Sequence, residues 1–94
     1  MPAYIIADIE VTDPALYERY KPLAAAAIAA SGGRYLVRGG EAEALEGKAP
    51  GRLVILEFPS LTMARAFYDG PAYAEARAIR DRAATSRVVI AEGI

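Results

Sequence analysis

From Ala3 to Val11 apolar and polar positions alternate: Ile5, Ala7, Ile9 and Val11 fall on one side, and Tyr4, Ile6, Asp8 and Glu10 on the other. A period of two predicts a strand, here with one apolar and one mixed face. The period then changes. Asp13-Pro14 supplies an N-cap acceptor and a fixed φ for the first helical turn. Leu16, Tyr20, Leu23, Ala24, Ala27 and Ile28 recur at helical spacing. Pro22 predicts a kink near the second turn, and Ser31-Gly32-Gly33 predicts the end of the helix.

Arg34 to Arg38 reads as a second strand, with Tyr35 and Val37 on one face and Arg34, Leu36 and Arg38 on the other. Gly39-Gly40 breaks it, at a bulge or sharp turn. The polar stretch from Glu41 to Gly51 predicts a long hairpin loop or an irregular strand extension. Leu53 to Phe58 is the most hydrophobic strand. Pro59-Ser60 closes it and caps a helix running to about Asp69. Gly70-Pro71 restarts a helix to about Ala84, with Ala72, Ala76, Ile79 and Ala83 as its apolar stripe, and Arg87 to Glu92 is the last strand. This order predicts a single α+β domain over residues 1–94 with the ferredoxin-like split βαβ arrangement, a four-stranded antiparallel sheet with helices on one face.

Helices on one face leave the other sheet face to water. Yet Tyr4, Ile6, Leu53 and Ile55 all fall on that second side. A four-stranded face projects roughly 300 Å² and its accessible area is larger, at or above the usual largest apolar patch of a monomer. Self-pairing through a two-fold axis, sheet against sheet, is the expected solution, making the protein its own partner in a homodimer.

Composition narrows the chemistry. The 94 residues are 54% hydrophobic and 24% charged, with 11 basic and 12 acidic side chains and a net charge of −1. That balance argues against a nucleic-acid partner. No apolar run reaches the roughly 18 residues of a membrane span, and no basic leader precedes the first strand, so neither span nor signal peptide is expected. The absence of Cys fits a reducing, cytoplasmic setting. With neither His nor Cys, a Ser-His-Asp triad, a thiol nucleophile, a His-ligated haem and an ordinary zinc site are all excluded.

Strand alternation places Asp8 with Tyr4 and Ile6, Arg38 with Arg34 and Leu36, and Glu57 with Leu53 and Ile55. If these faces all turn from the helices, a carboxylate, Asp8 or Glu57, becomes a candidate general base beside Arg38 as an anion clamp. A buried ion pair between the sheets is the structural alternative. The aromatic side chains form a second set. Tyr73, Arg77 and Arg80 fall along one helical face, and Tyr with Arg is a way to hold a planar carboxylate or phenolate. Tyr20, Arg38, Tyr68, Tyr73 and Arg77 are the substrate-binding candidates. The alternative is that Tyr20 and Tyr68 fill core with a wet hydroxyl and that Arg77 and Arg80 pair with neighbouring acids such as Glu75 and Asp81. Glu41, Glu43 and Glu46 read as a solvated loop rather than a metal site.

The segments Gly32-Gly33-Arg34-Tyr35-Leu36-Val37-Arg38-Gly39-Gly40, Leu45-Glu46-Gly47, Arg52 to Ser60 and Tyr68-Asp69-Gly70-Pro71-Ala72-Tyr73 together resemble a bacterial domain-of-unknown-function family of the dimeric α/β-barrel superfamily, over essentially the whole chain. The resemblance implies a ferredoxin-like protomer in a face-to-face dimer. The wider superfamily includes cofactor-free monooxygenases, muconolactone-isomerase-like enzymes, haem-using enzymes and stress-related binding proteins, so fold alone assigns no activity. Where the family carries a small polar residue before the proline, this chain has Gly70. Two functions stay open. One is a cofactor-free, monooxygenase- or isomerase-like enzyme acting on a small aromatic or organic acid. The other is a non-catalytic small-ligand-binding or structural stress-response module.

Overall fold

A computed structural model describes residues 1–94. The chain runs β1 (Ala3–Val11), α1 (Pro14–Ala30), β2 (Arg34–Arg38), β3 (Arg52–Phe58), α2 (Leu61–Asp69), α3 (Pro71–Ala83) and β4 (Ala84–Glu92). The strands form one antiparallel sheet in the order β2-β3-β1-β4. This is the ferredoxin-like α+β arrangement. No helix is long and apolar enough to cross a membrane.

Local chemistry sets the element boundaries. The Asp13 side chain accepts the Leu16 N–H at 3.1 Å, and Pro14 takes the first helical turn of α1. The helix continues through Pro22 to Ser31. Gly32, at φ +78°, then makes the left-handed turn into β2. Ser60 caps α2 by accepting the Met63 N–H at 3.1 Å. Gly70 both ends α2 and begins α3 in extended backbone. A Cβ there would stand 2.5 Å from the Ala66 carbonyl oxygen, so a side chain at this position requires the last turn of α2 to shift. β4 follows α3 without a loop, three residues earlier than the polarity pattern predicts. Thr12 and Asp13 donate their N–H groups to Ala83 O at this junction.

The core lies between the sheet and the helix layer. Ala3, Ile5, Ala7 and Ile9 of β1 and Leu56 and Phe58 of β3 meet Tyr17, Tyr20, Ala24, Ala27 and Ile28 of α1, with Phe67, Tyr73, Ala76 and Ala83 from the other helices. The helical stripe of α3 is rotated from the predicted one. Tyr73, Ala76, Arg80 and Ala83 face inward, while Ala72 is exposed and Ile79 half-buried. The predicted stripe shares Ala76 and Ala83 with the observed one and takes Ala72 and Ile79 in place of their neighbours Tyr73 and Arg80.

The open face is assembled by register. Val37 lies opposite Ile55, Ile55 opposite Ile6 and Ile6 opposite Val89, giving an apolar row across all four strands. One end is bordered by Glu57, bonded to Arg34 at 2.7 Å. At the other end Asp8 stands opposite Arg87. Strand β2 departs from simple alternation. A bulge between Tyr35 and Val37 sends Val37 to the open face and sets Arg38 opposite Val54, on the helix side. The expected Asp8–Arg38–Glu57 grouping is thereby broken, because the extra residue reverses the facing of Arg38.

Gly33 shows how tightly β2 is joined to the core. A Cβ built there would fall 2.5 Å from the ring of the fully buried Phe58. Gly33→Ala is expected to lower stability by about 1–3 kcal/mol through overpacking, measured as a fall in the urea midpoint with an unchanged m-value.

Candidate functional site

Small residues bring α1 and α3 together: Ala24 and Ala27 on one helix, and Ala76 and Ala83 on the other, are all buried. Between them lies a chain of polar groups. Arg80 is only 5% exposed. Its Nη1 donates to Tyr73 Oη at 3.0 Å and its Nη2 to Tyr68 Oη at 3.4 Å. Tyr73 Oη shares a 2.6 Å hydrogen bond with Tyr20 Oη, in which either hydroxyl can donate. One guanidinium thus connects all three helices. At its outer edge it meets the exposed Asp81 at 3.6 Å. Its Nε is buried without a hydrogen-bond partner.

These groups line a cleft between the helix layer and the sheet, with Ile5, Ala7, Ile9, Val54, Leu56 and Val88 among the floor and wall residues. Its water-accessible space is about 30 Å³, room for about two waters. Tyr17, Tyr20, Tyr35, Tyr68 and Tyr73 contribute to the lining, every tyrosine of the chain except Tyr4. Tyr20 and Tyr73 meet edge-on at 6.3 Å between centroids, and Phe67 packs tilted on Tyr73 at 4.6 Å. Lys21, Arg38, Arg52 and Arg80 supply the charged lining, and no Asp or Glu joins them. Arg38 lies 4.4 Å from the Tyr35 ring centroid and Arg52 5.7 Å from that of Tyr17. Arg52 Nε is a second buried donor without a partner.

The phenols are held neutral. Burial raises Tyr20, and the neighbouring Tyr73 adds to the shift. Burial likewise raises Tyr73, against the opposing pull of Arg80, and raises Tyr35 against that of Arg38. Burial works against the charge on Arg80, but the surrounding phenol oxygens outweigh it and hold the guanidinium above its ordinary value. The site is therefore a set of donors around a fixed cation.

Of the residues singled out from sequence, Tyr20, Arg38, Tyr68 and Tyr73 line this one cleft. Arg38 reaches it because of the bulge. Arg77 is outside the lining and covers the Tyr68 ring at 4.2 Å. Asp8 and Glu57 stand on the opposite sheet face. Asp8 Oδ1 accepts the Gly51 N–H at 2.8 Å, fixing the end of the long loop, and Glu57 is bonded to Arg34. Sequence reasoning passed over Arg80, Arg52, Lys21, Tyr17 and Tyr35 as members of the site. The signal for Arg80 was present: it shares a helical face with Tyr73, Ala76 and Ala83 at spacings of three, four and three.

Residues 2–94 match a family model described as a domain of unknown function, DUF1330. No curated protein matches the chain. Among solved structures, a protein of unknown function from Rhodopseudomonas palustris superimposes with a TM-score of 0.78 at 19% identity, covering 99% of this chain and 82% of that one. SnoaB, a cofactor-independent oxygenase from Streptomyces nogalater, gives 0.66 at 15% identity, with 99% and 93% covered. A dimeric protein of unknown function and ferredoxin-like fold from Bacteroides fragilis gives 0.63 at 16% identity, with 98% and 96% covered. At these identities the likeness is one of fold.

Two measurements follow from the hydrogen-bonded chain. Tyr73→Phe removes the oxygen that serves both Arg80 and Tyr20, and is expected to cost about 1–3 kcal/mol, more than the roughly 1 kcal/mol of Tyr20→Phe, by urea denaturation. The raised phenol values also set a pH dependence. Neutral Tyr20, Tyr35 and Tyr73 are favoured by folding, so their contribution is complete below the unfolded value of about 10 and declines as pH rises beyond it. Ultraviolet titration is expected to show these tyrosines ionising later than in the denatured chain.

Proposed function

The chain belongs to the DUF1330 family, a domain of unknown function, and from that premise we propose that it acts as a homodimer in which each protomer holds a small organic ligand in its helix–sheet cleft. The observation that carries this reading is the buried Tyr20–Tyr73–Arg80–Tyr68 chain. Apolar side chains would fill the same space without desolvating a charge. Convergent polar groups in a mainly apolar cleft are the ordinary form of a small-molecule site. In this reading Tyr20, Tyr68, Tyr73 and Arg38 face the ligand, and Arg77 positions Tyr68.

The dimer rests on the open face. The row Val37–Ile55–Ile6–Val89, with Leu36 45% and Val89 44% exposed, is apolar, and Arg34–Glu57 and Asp8–Arg87 flank it along the strands, the layout of an interface core and rim. One fold neighbour is described as dimeric. Asp8 and Glu57 then belong to the sheet–sheet interface, where Gly51 and Arg34 hold them, and not to the ligand in the cleft. The enzymatic form of the proposal is a cofactor-free, monooxygenase- or isomerase-like reaction, in keeping with the cofactor-independent oxygenase among the fold neighbours. A second form, stoichiometric binding without turnover, is favoured by the lack of a carboxylate, imidazole or thiol in the cleft lining. In either form we read the protein as cytoplasmic, a setting that its cysteine-free composition supports.

Native mass spectrometry is expected to show a dimer of the 10.0 kDa chain, and Ile6→Glu to return a folded monomer. A wild-type monomer would remove the sheet-to-sheet arrangement. A fragment screen by protein NMR is expected to place small organic ligands against Tyr20 and Tyr73, and oxygen uptake or product formation then separates turnover from binding. A screen in which no compound moves these resonances removes the cleft from consideration.

A further inference from the structure

We propose, resting on the reading of the cleft as a ligand site, that its ligand is an organic carboxylate that arrives already ionised. Electrostatics give the first reason. The chain as a whole carries more acids than bases, yet Lys21, Arg38, Arg52 and Arg80 line the cleft with no carboxylate among them. Lys21 and Arg80 do have acidic partners, Glu18 at 2.9 Å and Asp81 at 3.6 Å, but both acids are exposed and outside the lining. Arg38 and Arg52 have no carboxylate within 4.0 Å. A low-dielectric cleft walled by one sign of charge concentrates ligands of the other sign.

Hydrogen bonding gives a second, independent reason. Two buried guanidinium donors, Arg52 Nε and Arg80 Nε, have no partner, and buried donors left unmade are costly. Two unmet charged donors on residues that line one cleft call for an acceptor, and a carboxylate is the strongest match to a guanidinium. The cations are graded in burial, from exposed Arg38 through half-buried Lys21 and Arg52 to buried Arg80. That gradient draws an anion inward from the surface.

The ligand must bring its charge with it. No imidazole, thiol or carboxylate lines the cleft, and burial holds the Tyr20, Tyr35 and Tyr73 phenols neutral, so the usual proton acceptors for a weak acid are missing there. Size adds to this: about 30 Å³ accepts a carboxylate-sized head group, and the rest of the ligand extends past the exposed Arg38.

Matched probes test the class. Benzoate and propionate are compared with the neutral benzamide and propionamide at pH 7.5, following the side-chain Nε–H resonances of Arg52 and Arg80 by NMR. The carboxylates are expected to move these resonances and to bind at least tenfold more tightly than their amides. Arg38→Gln, at an exposed position, is expected to weaken carboxylate binding about threefold and amide binding by less, so that the preference for the carboxylate falls. Para-cresol, with a pKa of about 10, is expected to show no phenolate absorbance with the protein. Amides that bind as well as carboxylates would overturn the charge selectivity while leaving the cleft a ligand site. A phenolate band from bound cresol would overturn the claim that the ligand arrives ionised. If no probe moves either resonance, the carboxylate proposal and the cleft reading fall together.

Discussion

Arg80 carries its charge into the helix layer, and the organisation of the site depends on how that charge is accommodated. A guanidinium taken out of water loses several kcal/mol of solvation unless its donors are met. Here two are met by phenol oxygens rather than by a carboxylate, at 3.0 Å from Tyr73 and 3.4 Å from Tyr68. A buried carboxylate partner would have cancelled the charge locally. Neutral phenols satisfy donors without cancelling it, so the positive potential remains for whatever else enters the cleft. The same contacts join α2 and α3 to α1 through Tyr20.

The sheet sorts the remaining chemistry by face. Alternation along β1 and β3 puts Asp8 and Glu57 on one side, where Gly51 and Arg34 satisfy them. The bulge in β2 puts Arg38 on the other. Had Arg38 stayed with Arg34, an open-face cluster of mixed charge would result, and the cleft would lose the most exposed of its cations. A single extra residue therefore decides which face carries the guanidinium.

Periodicity made the element order, the caps at Asp13 and Ser60 and the two-sided strands legible, because local rules govern each of them. It also made Tyr20, Tyr68 and Tyr73 visible as a set. What it did not reveal had nonlocal causes. The bulge at Tyr35–Val37 is a property of the pairing with β3 and leaves no mark in the alternation of β2 itself. Arg80 was left out of the binding candidates because charge ordinarily marks the solvent side of a helix, although it was read on one face with Tyr73; its place follows from the tyrosines supplied by α1 and α2. Asp81, beside it in sequence, offered a plausible surface partner and is in fact only a contact at 3.6 Å. Arg52 was missed for a related reason, since a strand-end cation gives no sign that its Nε is buried against a helix.

The two faces of the sheet are also mechanically linked. Ile5, Ala7 and Ile9 form the cleft floor, and the residues between them, Ile6 and Asp8, stand on the open face. In β3, Val54 and Leu56 line the cleft while Leu53 and Ile55 face away. In a domain of this size the helix layer alone leaves much of the sheet's apolar surface in water. Covering the open row would restrain the same backbone that sets the cleft floor, and so hold the distances between floor and helices on which an anion head group depends. In the proposed function, pairing of protomers and recognition by the cleft would be two consequences of one alternating sequence, written on opposite sides of the same strands.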